Sequence, residues 1–279
     1  MPDSWRELMG KGCINIAHRG ARSLAPENTI SAARKAIEAG AHAWELDVRM
    51  SADGKLVVVH DDTLVRTSNA PLLFPDRRPW NLRDFSLDEI RLLDFGSWFA
   101  EADPFGQIEK GAPKLEEVRR YRGEPAPTLE EALAFTAENH WFVNVEIKDL
   151  EGTPEHTSVA ESVGRLVSAM GMRDRVLISS FNHEYLLRIK RVDRGLLTGV
   201  LVKSAQLSPA ALAANLGVLT YNARVTALRP GQLEELASAG CRTLVWVVNN
   251  QRMMKFFIKA RVAGIYTDFP QRLHVLLQS

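Results

Sequence analysis

Cysteine is scarce in this chain, long apolar runs are absent, and neither sign of charge prevails. The 279 residues include two cysteines, Cys13 and Cys241, too far apart for a CxxC pair and without the partners of a zinc site. A disulfide scaffold is thereby excluded, and both are read as reduced core thiols of a cytoplasmic protein. No apolar stretch approaches the roughly 20 residues of a membrane-spanning helix. Residues 1–11 carry Asp3, Arg6 and Glu7 and lack the apolar run and small-residue cleavage site of a secretory signal. Lys plus Arg number 35 and Asp plus Glu 34, so no overall field recruits nucleic acid or an anionic membrane. Specificity for an anion must therefore be local. Low-complexity tracts and linkers are absent too.

Hydrophobic residues make up 46% and charged residues 25% of the chain, the balance of a globular protein with a large core. Short apolar or β-branched runs alternate with segments whose apolar residues recur every three or four positions. About eight such units are present. Strands are expected at 14–18, 44–48, 142–147, 176–180, 196–201, 218–221, 243–247 and 264–267, with helices among them at 27–39, 128–139, 154–170, 184–192 and 230–239. Strands that alternate with helices imply a parallel sheet, since only a crossover returns the chain to the same direction. Eight units suggest closure into a barrel, with 1–279 as a single domain. One region, 61–127, breaks the rhythm and reads as an insertion after the second strand, holding seven of the 13 prolines. Within it Ala112-Pro-Lys-Leu-Glu-Glu is echoed by Ala126-Pro-Thr-Leu-Glu-Glu, a helix-start signal used twice.

Side chains two apart on a strand share a face, so Glu45 and Asp47 point one way while Trp44, Leu46 and Val48 point the other. The apolar set must lie under helices, which sends two carboxylates into the barrel. Unpaired charge there costs several kcal/mol, and a bound cation resolves the conflict. Asn144-Val-Glu146-Ile-Lys148 repeats the device, placing Glu146 and Lys148 on one face. A lone acid at a strand end is more often a surface charge or a helix cap; the paired spacing on two strands argues for a site. Oxygen ligands without neighbouring Cys favour a hard divalent cation, Mg2+ or Ca2+.

Of seven histidines, His42, His140, His156, His183 and His274 have ordinary settings and read as surface or packing residues. His18 ends the first strand and opens His-Arg-Gly, and His60 ends Lys55-Leu-Val-Val-Val-His. Both are expected at the C-terminal rim beside the acids, where two imidazoles serve as acid and base. Arg19 and Lys148 supply positive charge for a phosphate. Phe181 and Trp246, at the ends of late strands, either line the pocket against the substrate or belong to the core. Asn28 and Asp268 either assist at the rim or, as is commoner at such positions, cap helix ends. Phe95, Trp98, Phe99 and Phe105 either wall the entrance or pack the insertion onto the barrel.

His18-Arg-Gly, Pro26-Glu-Asn-Thr, Glu45-Leu-Asp47, Val-Val-Val-His60-Asp and Val145-Glu-Ile-Lys148, followed by Ser180-Phe-Asn, Trp246-Val-Val-Asn and Thr267-Asp-Phe-Pro, resemble the glycerophosphodiester phosphodiesterase family. The ordered set spans about 14–270 and is far more specific than any one of its parts. The resemblance implies a TIM barrel with an insertion after the second strand, Glu45, Asp47 and Glu146 as metal ligands, His18 and His60 as acid and base, and Arg19 and Lys148 as the phosphate clamp. It implies hydrolysis of a small glycerol-containing phosphodiester to sn-glycerol 3-phosphate and an alcohol. Three other readings stand beside it: a lysophospholipase D acting at the same site, an anion-binding barrel without turnover, and a metal-dependent carbon–carbon lyase. The intact histidine pair argues against the binder, and the His-Arg-Gly and Val-Val-Val-His-Asp motifs against the lyase.

Overall fold

The structure, a computed structural model, describes residues 2–279. Nine strands form one sheet: β1 (Ile14–Ala17), β2 (Ala43–Met50), β3 (Leu56–Val58), β4 (Val143–Ile147), β5 (Val176–Ser180), β6 (Leu197–Val202), β7 (Thr220–Arg224), β8 (Arg242–Trp246) and β9 (Gly264–Thr267). All but β3 run parallel, in the order β1-β9-β8-β7-β6-β5-β4-β2, and β1 pairs with β2 to close the ring. This is the expected TIM barrel, and all eight expected strands lie in it with shifts of one to three residues at some ends.

The closure follows from the alternation along each strand. Trp44, Leu46 and Val48 are fully buried and pack with Ala33, Ala36, Leu129 and Leu133 of the covering helices. Each large apolar side chain so buried contributes about 1.5–3 kcal/mol. The opposite face of each strand fills the barrel. At its N-terminal mouth the helix Trp5–Gly10, capped by the Ser4 side chain, brings Trp5, Leu8 and Met9 against Ile14, Ile16, Phe142, Leu177, Leu197 and Leu244. The Trp5 ring meets Phe142 edge-on at 5.9 Å, and its Nε1–H donates to the Arg175 carbonyl at 3.0 Å.

Two expected helices change at their ends. The one expected from Glu27 begins at Ile30 with Thr29 as its cap, because Asn28 is left-handed (φ 60°). The one expected from Pro154 divides into a 3-10 turn, Pro154–Thr157, and a helix, Val159–Ala169. In the region after β3, the doubled helix-start signal produces two helices, Leu115–Arg120 and Leu129–Glu138. Only the second closes a reciprocal box: Thr128 N–H donates to Glu131 at 2.8 Å and Glu131 N–H to the Thr128 hydroxyl at 3.2 Å, an exchange Lys114 cannot complete because it has no acceptor.

Val57, Leu64, Leu82, Phe85, Ile90 and Phe95 give this region a small core of its own. Phe99 packs on Tyr121, and Phe105 meets Phe269 edge-on at 5.4 Å. The aromatic residues at 95, 98, 99 and 105 thus pack the added segment and do not line the central cavity. Among the described residues, no helix is long and apolar enough to cross a membrane. Cys13 and Cys241 are unpaired, and burial pushes their thiols up to about 12 and about 11.

Candidate active site

The register of β2 against β4 sets Glu45 beside Asn144 and Asp47 beside Glu146. Carboxylate oxygens of Glu45, Asp47 and Glu146 come within 4.8 Å of one another. Like charges this close cannot all ionise freely. Burial, then the charges of Asp47 and Glu146, push the Glu45 carboxyl well above its ordinary range. Burial acts the same way on Asp47, but Lys148 and Arg19 outweigh it and hold that group well below the usual carboxylate range. The arrangement is short of positive charge at one point. Glu45 Oε2 accepts the Arg19 backbone N–H at 2.8 Å, yet its buried Oε1 has no partner. A buried carboxylate oxygen without a partner, on an acid clustered with two others in a donor set made only of oxygen, fits a hard cation.

Two cations already share these acids. Lys148 Nζ lies 2.6 Å from Glu146 and 3.3 Å from Asp47, and although burial would lower it, the two carboxylates raise it. Arg19 has φ 55° and places Nη1 2.8 Å from Glu27 and Nε 3.3 Å from Asp47. Gly20 makes this turn possible: at φ 78° a Cβ would stand 2.6 Å from that of Ala32.

His18 and His60 reach the same cavity by different routes. His18 follows the end of β1 directly. The sequence reading has His60 leaving a strand in the same way, but β3 is antiparallel to β2, pairing Val48 with Val58. The hairpin rises past the site and β3 brings His60 back down to it. Each imidazole has a carboxylate behind it. His18 Nδ1 lies 2.7 Å from Asp268 and His60 Nδ1 2.6 Å from Asp61. An ionised carboxylate only accepts, so Nδ1 carries the proton in both rings and Nε2 is left for chemistry. His18 Nε2 lies 4.0 Å from Glu45. Burial and then Arg19 lower the His18 pKa, with the Asp268 hydrogen bond opposing them.

The cavity is about 400 Å³ and is lined by His18, Glu45, His60, Glu146 and Lys148 and by the apolar Phe181, Leu201 and Trp246, with Lys203 Nζ over the Phe181 ring at 4.5 Å. Phe181 and Trp246 meet edge-on at 5.5 Å, and Trp246 Nε1–H donates to the Asn222 carbonyl at 2.9 Å. All nine residues singled out from the sequence therefore converge here: eight line the cavity and Asp47 lies beneath it against Lys148 and Arg19.

Helix capping is overturned for two residues. Asn28 donates its amide to Asp47 at 2.9 Å and accepts the Asp47 N–H at 3.2 Å, which fixes that carboxylate. Asp268 holds His18 and is itself held by Asn249 at 2.6 Å. The adjoining helices are capped or begun by Thr29 and Phe269 instead. Arg49 was missed, although Glu45-x-Asp47-x-Arg49 puts all three on one face; its Nε donates to the His60 carbonyl at 2.9 Å. Of the ordinary histidines, His42 accepts the Asn15 N–H at 2.9 Å and His156 bonds the Tyr185 hydroxyl at 2.8 Å.

Known proteins are similar to this chain over most of its length. A glycerophosphodiester phosphodiesterase of Caldanaerobacter subterraneus is 33% identical over 92% of this chain and 95% of its own length. One from Bacillus subtilis is 31% identical over 94% of this chain and 85% of its own. Among solved structures, a glycerophosphodiester phosphodiesterase from Agrobacterium tumefaciens superposes with a TM-score of 0.74 at 26% identity, covering 94% of this chain and 99% of that one. A phosphodiesterase of Oleispira antarctica, solved with the product sn-glycerol-3-phosphate, has the same fold, with a TM-score of 0.81 at 24% identity over 98% and 99% of the two chains. The model of the glycerophosphoryl diester phosphodiesterase family matches residues 18–272, so the chain belongs to that family and is an enzyme of its class.

Proposed function

We propose that this protein hydrolyses glycerophosphodiesters to sn-glycerol 3-phosphate and an alcohol, with 1–279 acting as one barrel domain in the cytoplasm. The observation that carries the reading is the pair of imidazoles, each backed by a carboxylate and each opening Nε2 to one cavity beside three clustered acids. Glu45, Asp47 and Glu146 would hold a divalent cation, Mg2+ or Ca2+; when bound, it supplies Lewis-acid stabilisation of charge on phosphate oxygens.

The chain's own groups divide the remaining work. Lys148 and Arg19, kept protonated by the acids around them, attract the phosphodiester anion and offset charge that grows during attack. One of His18 and His60 takes a proton from the attacking oxygen on its free Nε2, and the other, entering the step as imidazolium, gives its Nε2 proton to the departing alkoxide, while Asp268 and Asp61 hold the Nδ1–H of each ring. Phe181 and Trp246 pack against the glycerol carbons and exclude water from that side.

The test is to incubate the protein with glycerophosphocholine, glycerophosphoethanolamine and a lysophospholipid, each with Mg2+ or Ca2+, and identify the products. Release of sn-glycerol 3-phosphate from the first two is expected. Turnover of the lysophospholipid alone would move the reading to a lysophospholipase D, and no turnover of any would overturn it.

A further inference from the structure

Glu27 lies between the two histidine–carboxylate pairs, outside the cavity that both imidazoles face. It is 5% exposed and collects three guanidinium groups: Arg19 Nη1 at 2.8 Å, Arg22 Nη2 at 2.9 Å and Arg66 Nη2 at 2.7 Å. Beyond Glu27, two of these arms go on to the acids behind the histidines. Arg66 grips Asp61 through Nε at 2.6 Å and Nη2 at 3.0 Å, and Asp61 holds His60. Arg22 Nη1 stands 3.8 Å from Asp268, which holds His18. The third arm, Arg19, places Nε 3.3 Å from Asp47. A continuous line of opposite charges thus runs from His18 through Asp268, Arg22, Glu27, Arg66 and Asp61 to His60.

Three arginines crowded together repel one another unless a carboxylate stands among them, and burial makes that repulsion stronger than in water. Burial tends to raise the Glu27 carboxyl, but Arg19, Arg22 and Arg66 outweigh it and bring the group down to about 2. The charge at this point is therefore permanent near neutrality. A residue that served only to tie down the segment 19–28 would need one arginine from that segment. Here an arm also comes from Arg66, 39 residues away, and forks onto the acid of the second histidine.

We propose that Glu27 is a positioning residue that joins the two imidazoles into one working pair, setting Asp61 and His60 through Arg66 and Asp268 and His18 through Arg22. The proposal rests on the reading of His18 and His60 as the proton-transfer groups. Removing the Glu27 charge loosens both rings at once, whereas cutting the Arg66 arm loosens only His60.

The experiment combines steady-state kinetics with imidazole proton NMR on the whole protein, using Glu27→Gln, Arg66→Ala and His60→Ala, singly and as the Glu27→Gln/His60→Ala and Arg66→Ala/His60→Ala doubles. Outer hydrogen-bond partners of reacting groups typically matter by 10- to 100-fold. Glu27→Gln is expected to lower kcat about tenfold or more; because it also releases Arg19, a phosphate cation, the decision rests on kcat and the imidazole resonances and not on KM. It should also move the Nδ1–H resonances of both His18 and His60. Arg66→Ala should move only that of His60 and add no further loss to His60→Ala, whereas Glu27→Gln should still depress what activity that variant retains. Because Arg66 is the more exposed end of the line, at 40% for its side chain, its variant keeps the test open if Glu27→Gln fails to fold. A loss of thermal stability with both resonances unmoved, or the same fold-loss from Arg66→Ala with and without His60, would overturn the proposal. The resonances report on the linkage whatever the substrate proves to be, so a failed substrate assignment and a failed linkage give different results.

Discussion

At the N-terminal mouth the barrel interior is filled by Trp5, Leu8, Met9, Phe142 and their apolar neighbours, while at the C-terminal mouth it is filled by Glu45, Asp47, Glu146, Arg19 and Lys148. The first end gains stability in proportion to the apolar area removed from water, roughly 25 cal/mol per Å², and needs only shape to match. The second gains little from burial. Each charge there costs several kcal/mol to desolvate, offset only where a partner of opposite sign stands at hydrogen-bond distance. Glu45 Oε1 marks where that matching stops. The contrast separates the two tasks of the barrel: its lower end holds the fold together, and its upper end carries buried charge that chemistry can use.

The largest expected effect tests the upper end. Treatment with EDTA should abolish activity, and Mg2+ or Ca2+ should restore it, since the three acids are short of one cation; full turnover in chelator would refute the metal assignment. Next come the imidazoles. His18→Ala and His60→Ala should each reduce kcat by roughly 10²- to 10⁴-fold with circular dichroism and metal affinity unchanged, and a mild loss from both would remove them from proton transfer. The smallest effect on turnover belongs to the lower end. Trp5→Ala should cost about 3–5 kcal/mol of stability in urea unfolding and leave kcat/KM of the folded fraction unaltered. A fall in kcat/KM there would show that the two mouths are coupled and dissolve the comparison.

Much of the upper end was legible along the chain because strand geometry has a period of two. Trp44, Leu46 and Val48 announce the covered face, so Glu45 and Asp47 must point inward, and Glu146 with Lys148 follows the same rule on another strand. Arg49 obeys that rule and was within reach of it. Asn28 and Asp268 were misjudged because a polar residue near a helix start has a common local use, and nothing nearby reveals that the partners are Asp47, 19 positions on, and His18, 250 positions back. The His60 approach was misjudged for a related reason: an apolar run of four residues does not declare its direction, and only pairing with β2 makes it antiparallel.

The order of the eight parallel strands, the inward acids and His18 at the end of β1 were determined by the sequence alone, because local periodicity and turn chemistry act over a few residues and need no knowledge of the rest. Which carboxylate stands behind which imidazole, which acid is pushed up and which held down, and the arginine line through Glu27 were decided only by the tertiary structure. Those properties depend on distances of 3–4 Å between residues far apart along the chain, and on burial that exists only once the ring has closed.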